Sequence, residues 1–230
     1  LERLNAHKAL VMVQDEISKT YAKETPENTL RILFVGGSQT WGEGANQRED
    51  TFVSRIETRL NERAVAGKRY QCIDGGIRGG TSIELFEGIK GWLDLNPALV
   101  VMDLGCNDGI LTEKDIRENA GGMMDLCRKK DIPIVLAIEA LSLECVPEPL
   151  WSFNVLRFLA DERHLMQIDL YESLNRRIDT GCLFWDQVHP TSYGHRLIAD
   201  ELYPKIVAQL CALVEKQRYE SETPIQKVQK

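Results

Sequence analysis

The absences in this sequence narrow its function before any motif is considered. Its six cysteines (Cys72, Cys106, Cys127, Cys145, Cys182 and Cys211) form no CxxC pair, so the spacing of a zinc ribbon is missing. Several lie in apolar segments, where cysteine acts as a small hydrophobe. Nothing in their spacing asks for disulfides, which leans toward a reducing, cytoplasmic compartment. The chain begins at Leu1, so an upstream signal peptide or membrane anchor stays open. No basic run exceeds Arg128-Lys129-Lys130, and 28 basic against 35 acidic residues leave a net charge of -7. A nucleic-acid partner held by phosphate contacts is therefore not expected. No apolar run approaches the ~18–20 residues that span a bilayer. The longest, Ile132 to Ile138, is strand-sized and contains Pro133. Internal repeats and low-complexity tracts are absent.

What is present is an ordinary globular chain. Its 230 residues correspond to one domain or a small pair, and 43% hydrophobic with 27% charged residues rules out disorder throughout. A chain of this size needs no disulfide or metal staple to hold a core.

The pattern then alternates. Residues 1–22 read as a helix with Leu10, Val13, Ile17 and Tyr21 near one face, followed by a polar linker, Lys23 to Asn28. Strands are expected at Arg31–Val35, Tyr70–Ile73, Ala98–Leu104, Ile132–Ile138 and Leu165–Leu170. Helices are expected at Asp50–Ala64, Ser82–Leu95, Glu113–Lys130, Trp151–Asp161 and from near Ser192 onward, with a loop over Leu141–Pro149. Residues 217–230 are polar and contain Pro224, which reads as a loose tail. The expected division is an N-terminal helix and linker over 1–28, a domain over 29–216, and that tail. Five apolar strands between amphipathic helices mean an α/β fold with a parallel sheet covered on both faces. Working sites in such folds lie outside the carboxyl ends of the strands.

Glycine-rich turns follow the first three strands. Strand one runs into Gly36-Gly37-Ser38-Gln39-Thr40-Trp41-Gly42, strand two into Asp74-Gly75-Gly76-Ile77-Arg78-Gly79-Gly80-Thr81, and strand three into Gly105-Cys106-Asn107-Asp108-Gly109. Asp186-Gln187-Val188-His189-Pro190 precedes the last helix. The first turn has no P-loop lysine, no GxGxxG, and Thr40 where the GxSxG elbow needs glycine. Ser38 needs a base within hydrogen-bond reach to act as a nucleophile, and His189 can be that base. Asp186 can orient and stabilise the imidazolium. The N–H groups of Ser38 and Gly79 and the side-chain amide of Asn107 can supply the two or three donors an oxyanion needs. Taken singly, each piece is an ordinary turn residue or a lone histidine. Together they stand at the carboxyl ends of strands or in the last loop, in one chain order.

At this point the sequence resembles the SGNH (GDSL-type) hydrolase family over roughly residues 30–215. Gly36 to Gly42 looks like the family's first block, Gly79 like the glycine of the second, Gly105-Cys106-Asn107-Asp108 like the third, and Asp186 to Pro190 like the fifth. The resemblance implies a flavodoxin-like three-layer α/β/α sandwich with a five-stranded parallel sheet. It also implies a triad of Ser38, His189 and Asp186, with an oxyanion hole of Ser38, Gly79 and Asn107. Two positions depart from the pattern. Gly37 replaces the first block's aspartate, and Arg78 stands where a small residue is common, bringing a cation that reads either as a solvated arginine or as a group suited to an anionic substrate.

Trp41 and Trp185 flank the Ser38 and Asp186 loops and suit either an aromatic wall for substrate or core packing. His195, His7 and His164 read as surface or packing residues, Asp103 as a hydrogen-bonded strand residue, and Asp108 as a turn or cap. A carboxylate pair for glycoside hydrolysis is not singled out. The expected activity is an esterase or acylhydrolase that works through an acyl-enzyme without metal or organic cofactor. Its expected partner is a small-molecule or glycan ester, with a lean toward acetyl over lysophospholipid or acyl-thioester. An acyltransferase with the same triad and a non-catalytic binding module remain the rivals. The natural substrate and oligomeric state are open.

Overall fold

The computed structural model describes residues 2–22, 24–142, 150–176 and 182–222. The expected loop Leu141–Pro149 lies outside the described residues from position 143 on, as do Cys145 and residues 223–230.

Five strands form one sheet in the order β2-β1-β3-β4-β5: β1 (Thr29–Gly36), β2 (Arg69–Gly76), β3 (Leu99–Leu104), β4 (Ile134–Ile138) and β5 (Met166–Asp169). All pairings are parallel, with Ile32 opposite both Cys72 and Leu99. Strands buried on both faces read as unbroken apolar runs, and Ile32 to Val35 and Leu99 to Met102 are fully buried.

Successive residues feed opposite layers. Leu33, Val35, Val100 and Met102 meet α1 (Glu2–Thr20), α4 (Ser82–Trp92), α5 (Glu113–Lys129) and α6 (Trp151–Glu162). Ile32, Phe34, Leu99 and Val101 meet α3 (Phe52–Glu62), α7 (Leu170–Asn175) and α8 (Ser192–Glu222). The result is the α/β/α sandwich expected from the sequence. Chain direction diverges at β1, which has β2 on one side and β3 on the other. That is the switch point, where such sheets open a crevice at their carboxyl ends.

The N-terminal helix belongs to this packing. Leu10, Val13 and Ile17 are buried in the core, and the Tyr21 hydroxyl donates to the Cys72 carbonyl at 2.9 Å. Each such apolar side chain contributes ~1.5–3 kcal/mol when fully buried. The exposed Lys19–Asp15 pair on the outer face adds little beside that.

Two elements depart from the sequence reading. The expected last strand gives way at Leu170 to α7, because the Asp169 side chain accepts the Glu172 N–H and caps a helix there. The last helix continues through 217–222, so the polar tail does not begin at 217.

Candidate active site

Four loops meet at the carboxyl end of the sheet. The first is the turn from β1 into α2 (Ser38–Trp41), which carries Ser38 as its first helical residue. Gly36 is required there: a Cβ would stand 2.1 Å from Thr40 Oγ1 and 2.6 Å from the Asp103 carbonyl. Two buried side chains pin the turn. Thr40 Oγ1 donates to Asp103 Oδ2 at 3.1 Å, and Gln39 Nε2 donates to the Ala140 carbonyl at 2.7 Å.

The second loop follows β2. The Ile77 N–H donates to the Gly36 carbonyl at 2.9 Å, tying it to the serine turn. Gly79 has φ +68, a left-handed conformation that glycine adopts without strain. Thr81 and Glu84 then form a capping box that starts α4. In the third loop, Asp108 is buried and accepts the Ser82 N–H at 2.7 Å, while Asn107 Nδ2 donates to the Gly80 carbonyl at 2.9 Å. Asn107 thus bridges the second and third loops, and one amide hydrogen remains for a ligand. Among the described residues no acceptor takes the N–H of Ser38 or Gly79.

The fourth loop closes on itself as a small hairpin. The Trp185 N–H donates to the His189 carbonyl, and the Thr191 N–H to the Leu183 carbonyl, both at 2.9 Å. Asp186 is the hub inside it. Its Oδ1 accepts the N–H groups of Val188 and His189 at 2.8 Å each, and its Oδ2 lies 2.7 Å from His189 Nδ1. On the far side of the ring, His189 Nε2 lies 3.1 Å from Ser38 Oγ. Burial alone would raise the Asp186 pKa. The bonds from the Val188 N–H and from the His189 side chain and N–H outweigh it and hold the carboxyl below its ordinary value. Asp186 therefore stays ionised opposite the ring.

His195 stands apart from this line. It is buried, stacks on Phe52 at 5.9 Å and bonds the Glu43 carbonyl through Nε2. Burial lowers its pKa to about 4, so it packs as a neutral ring. Arg78 is met from within the chain: its Nε lies 2.6 Å from Glu43 Oε2 and its guanidinium 5.0 Å from the Trp41 ring centre. Trp41 is 42% exposed and Trp185 67%, so neither is a core residue. Trp185 Nε1 donates to the Gly44 carbonyl at 2.6 Å, which fixes that ring at the edge of the serine turn. Among the described residues, no group of three or more His, Cys, Asp or Glu is arranged to hold a metal ion, and no helix is long and apolar enough to cross a membrane.

Asp103 is the hydrogen-bonded strand residue expected from the sequence, but sequence reasoning missed Glu139, with which it forms a buried acidic pair under the site. Burial raises the Asp103 carboxyl to about 7 against the Thr40 hydrogen bond, and raises Glu139 well above the usual range, with the Asp103 charge adding to it. The only sequence signal for Glu139 is an acid ending an apolar run, Ile134-Val135-Leu136-Ala137-Ile138-Glu139. The pair has a stability consequence. Unfolded, Asp103 releases its proton near the ordinary 3.8; folded, it keeps the proton until about 7. The folded state binds more protons across that window, so stability falls as pH rises through it. The expected result is a Tm that drops between about pH 5 and about pH 8, with a smaller drop in Asp103→Asn, read by circular dichroism melts of both proteins. An equal drop in both would show that Asp103 does not carry the dependence.

The comparisons with known proteins concern this same region. The family model of the GDSL-like lipase/acylhydrolase family matches residues 34–197. No curated protein sequence matches the chain. Among solved structures, the acetyl xylan esterase AlAXEase is 22% identical, with a TM-score of 0.64 over 77% of this chain and 100% of that one. A lipase/acylhydrolase from Enterococcus faecalis is 20% identical, with a TM-score of 0.66 over 78% of this chain and 96% of the other. A two-domain esterase, CEX, active on acetylated mannans, is 18% identical with a TM-score of 0.63; the match covers 96% of this chain and 56% of that one. At these identities the likeness is one of fold.

Proposed function

Because the chain belongs to the GDSL-like lipase/acylhydrolase family, and so to the hydrolases acting on ester bonds, we propose that it cleaves a small acyl ester through an acyl-enzyme on Ser38. The observation that carries this reading is the hydrogen-bonded line from Ser38 Oγ through the His189 ring to Asp186, at 3.1 and 2.7 Å.

In the proposed reaction Ser38 Oγ attacks the ester carbonyl carbon while His189 Nε2 takes the hydroxyl proton. The carbonyl oxygen becomes an oxyanion that accepts from the N–H groups of Ser38 and Gly79 and from the Asn107 amide. The C–O bond to the alcohol then breaks, and the imidazolium returns its proton to the leaving oxygen. Water repeats the sequence on the acyl-enzyme, releasing the carboxylic acid and restoring Ser38. Asp186 holds Nδ1 protonated throughout and stabilises the charged ring.

The proposed substrate is an acetyl or similarly short ester on a carbohydrate. Two exposed indoles beside the serine turn, Trp41 and Trp185, offer flat apolar area for a sugar ring. Pairing with Glu43 and stacking on Trp41 make Arg78 a brace for that indole, and its charge is no reason to favour an anionic substrate. Two proteins of the same fold, an acetyl xylan esterase and an esterase active on acetylated mannans, add weight to the acetyl choice.

The test is a panel of p-nitrophenyl acetate, butyrate and octanoate, an acyl-thioester, a lysophospholipid and acetylated xylo-oligosaccharide, with products weighed by mass spectrometry. Fastest turnover on the acetyl esters, with Trp185→Ala raising KM for the oligosaccharide alone, is the expected result. Preference for the octanoyl ester or lysophospholipid would overturn the substrate. Transfer of acetyl to added sugar in preference to water would replace hydrolysis by acyl transfer.

A further inference from the structure

The space beside the serine turn is filled from an unexpected direction. Gly37 has no side chain, and a Cβ built on it would stand 3.2 Å from Glu139 Oε1 and 3.0 Å from Asn107 Nδ2. Glu139 arrives there from the carboxyl end of β4, where its N–H donates to the Leu104 carbonyl at 3.1 Å. It is 3% exposed. Its other oxygen, Oε2, accepts the Cys106 N–H at 2.5 Å. Cys106 precedes Asn107, whose amide spans to the second loop through Gly80. One carboxyl therefore lies beside Gly37 of the serine turn on one side and bonds the Gly105–Cys106 peptide, one residue before Asn107, on the other.

We propose that Glu139 is a positioning residue of the oxyanion hole, supplying from β4 the carboxyl that the serine turn lacks at Gly37 and aiming the Asn107 amide at the ester oxygen. The inference rests on the proposed roles of Ser38 and Asn107. The Gly105–Asn107 segment leaves β3 and enters a short 3-10 turn, Asn107–Ile110. A rotation of the Gly105–Cys106 peptide would shift Cys106 and, with it, the Asn107 that follows. The Glu139 bond opposes that rotation from below, and the Asn107–Gly80 bond from the side. Burial and the neighbouring Asp103 push the Glu139 carboxyl up, so it stands protonated, and glutamine is a close stand-in for it. Space beside Gly37 is the second half of the argument. Even the first carbon of a side chain at Gly37 would stand tighter than ordinary contact against the Glu139 carboxyl and the Asn107 amide, so a carboxylate placed in the turn crowds both.

The experiment measures kcat and KM on p-nitrophenyl acetate, and Tm, for the wild type, Ser38→Ala, Glu139→Gln, Glu139→Met, Gly37→Asp and the pair Gly37→Asp/Glu139→Ala. Glutamine keeps an acceptor oxygen, whereas methionine has similar length and none. Glu139→Gln is expected to keep kcat within about threefold of wild type, and Glu139→Met to lose about 10–100-fold in kcat at unchanged KM, a part of what losing one oxyanion donor costs. Gly37→Asp alone is expected to lose about 10-fold or more through crowding, and the pair to recover most of it. Equal kcat in the glutamine and methionine variants, or a pair no better than Gly37→Asp alone, would overturn the proposal. Should Glu139→Met fail to fold, the Gly37 pair decides. The Ser38→Ala control separates the two readings. Wild-type turnover in that variant removes the nucleophile assignment, whereas a dead Ser38→Ala with unaffected Glu139 variants removes only the role of Glu139.

Discussion

Replacing Ser38 with alanine is expected to lower ester turnover by about 10⁵–10⁶-fold while leaving the protein folded. The size follows from what alanine removes. Without Oγ there is no group to form the acyl-enzyme, and His189 is left to activate water that no side chain holds in place. The N–H of residue 38, Gly79 and Asn107 remain, so a residual rate of about 10³–10⁴ over water is expected from the oxyanion donors and binding alone. The fold should not notice the change. Alanine keeps the Cβ and favours the helical position that Ser38 occupies at the start of α2. The hydrogen bond lost to His189 is part-buried and its net contribution is about 1 kcal/mol. Initial rates on p-nitrophenyl acetate check the rate, and a circular dichroism melt checks the fold. Intact mass after a fluorophosphonate gives an independent reading: one adduct on the wild type and none on the variant. Turnover within tenfold of wild type in a folded Ser38→Ala protein would remove Ser38 from the reaction.

The parts legible in the sequence share a physical property: their chemistry is local. Ile32 to Val35 announces a strand because a strand covered on both faces must be apolar at every position. Ser38 stands out because the glycines that permit its turn are its immediate neighbours, and Asp186 and His189 because a hairpin brings positions three apart onto one hub. What stayed hidden depends on distant pairs. Arg78 reads as a free cation until Glu43, 35 positions earlier, is folded against it. Glu139 reads as an isolated acid until Cys106, 33 positions earlier, presents its N–H. The extension of α8 to Glu222 has another cause. No glycine or proline interrupts 217–222, and exposed pairs such as Lys216–Glu220 sustain a helix that has left the core. The polar composition of 217–222 marks where the packing ends, not where the helix does.

Asp186→Asn is the second large expected effect, a loss of about 10³-fold in kcat/KM. The asparagine keeps Oδ1 as an acceptor for the N–H groups of Val188 and His189, so the hairpin has no reason to open. Its amide, however, would face His189 Nδ1 with a donor. The ring would then carry its proton on Nε2, pointing N–H at Ser38 Oγ with no lone pair to receive the hydroxyl proton. The charge is lost as well, and the imidazolium formed during attack has no counter-ion. In a buried triad the same exchange costs about 10⁴. The Asp186 side chain is 52% exposed, so water can shield the ring in part and the smaller figure is expected. Initial rates on p-nitrophenyl acetate measure the loss. Bonds to Val188 and His189 hold the Asp186 pKa below its ordinary value, so the carboxylate remains charged through mildly acid solution and any acid-side loss in the wild type belongs to another group. A folded Asp186→Asn protein within tenfold of wild type, beside an inactive Ser38→Ala, would mean that His189 keeps its working tautomer without Asp186, leaving the carboxylate to hold only the loop.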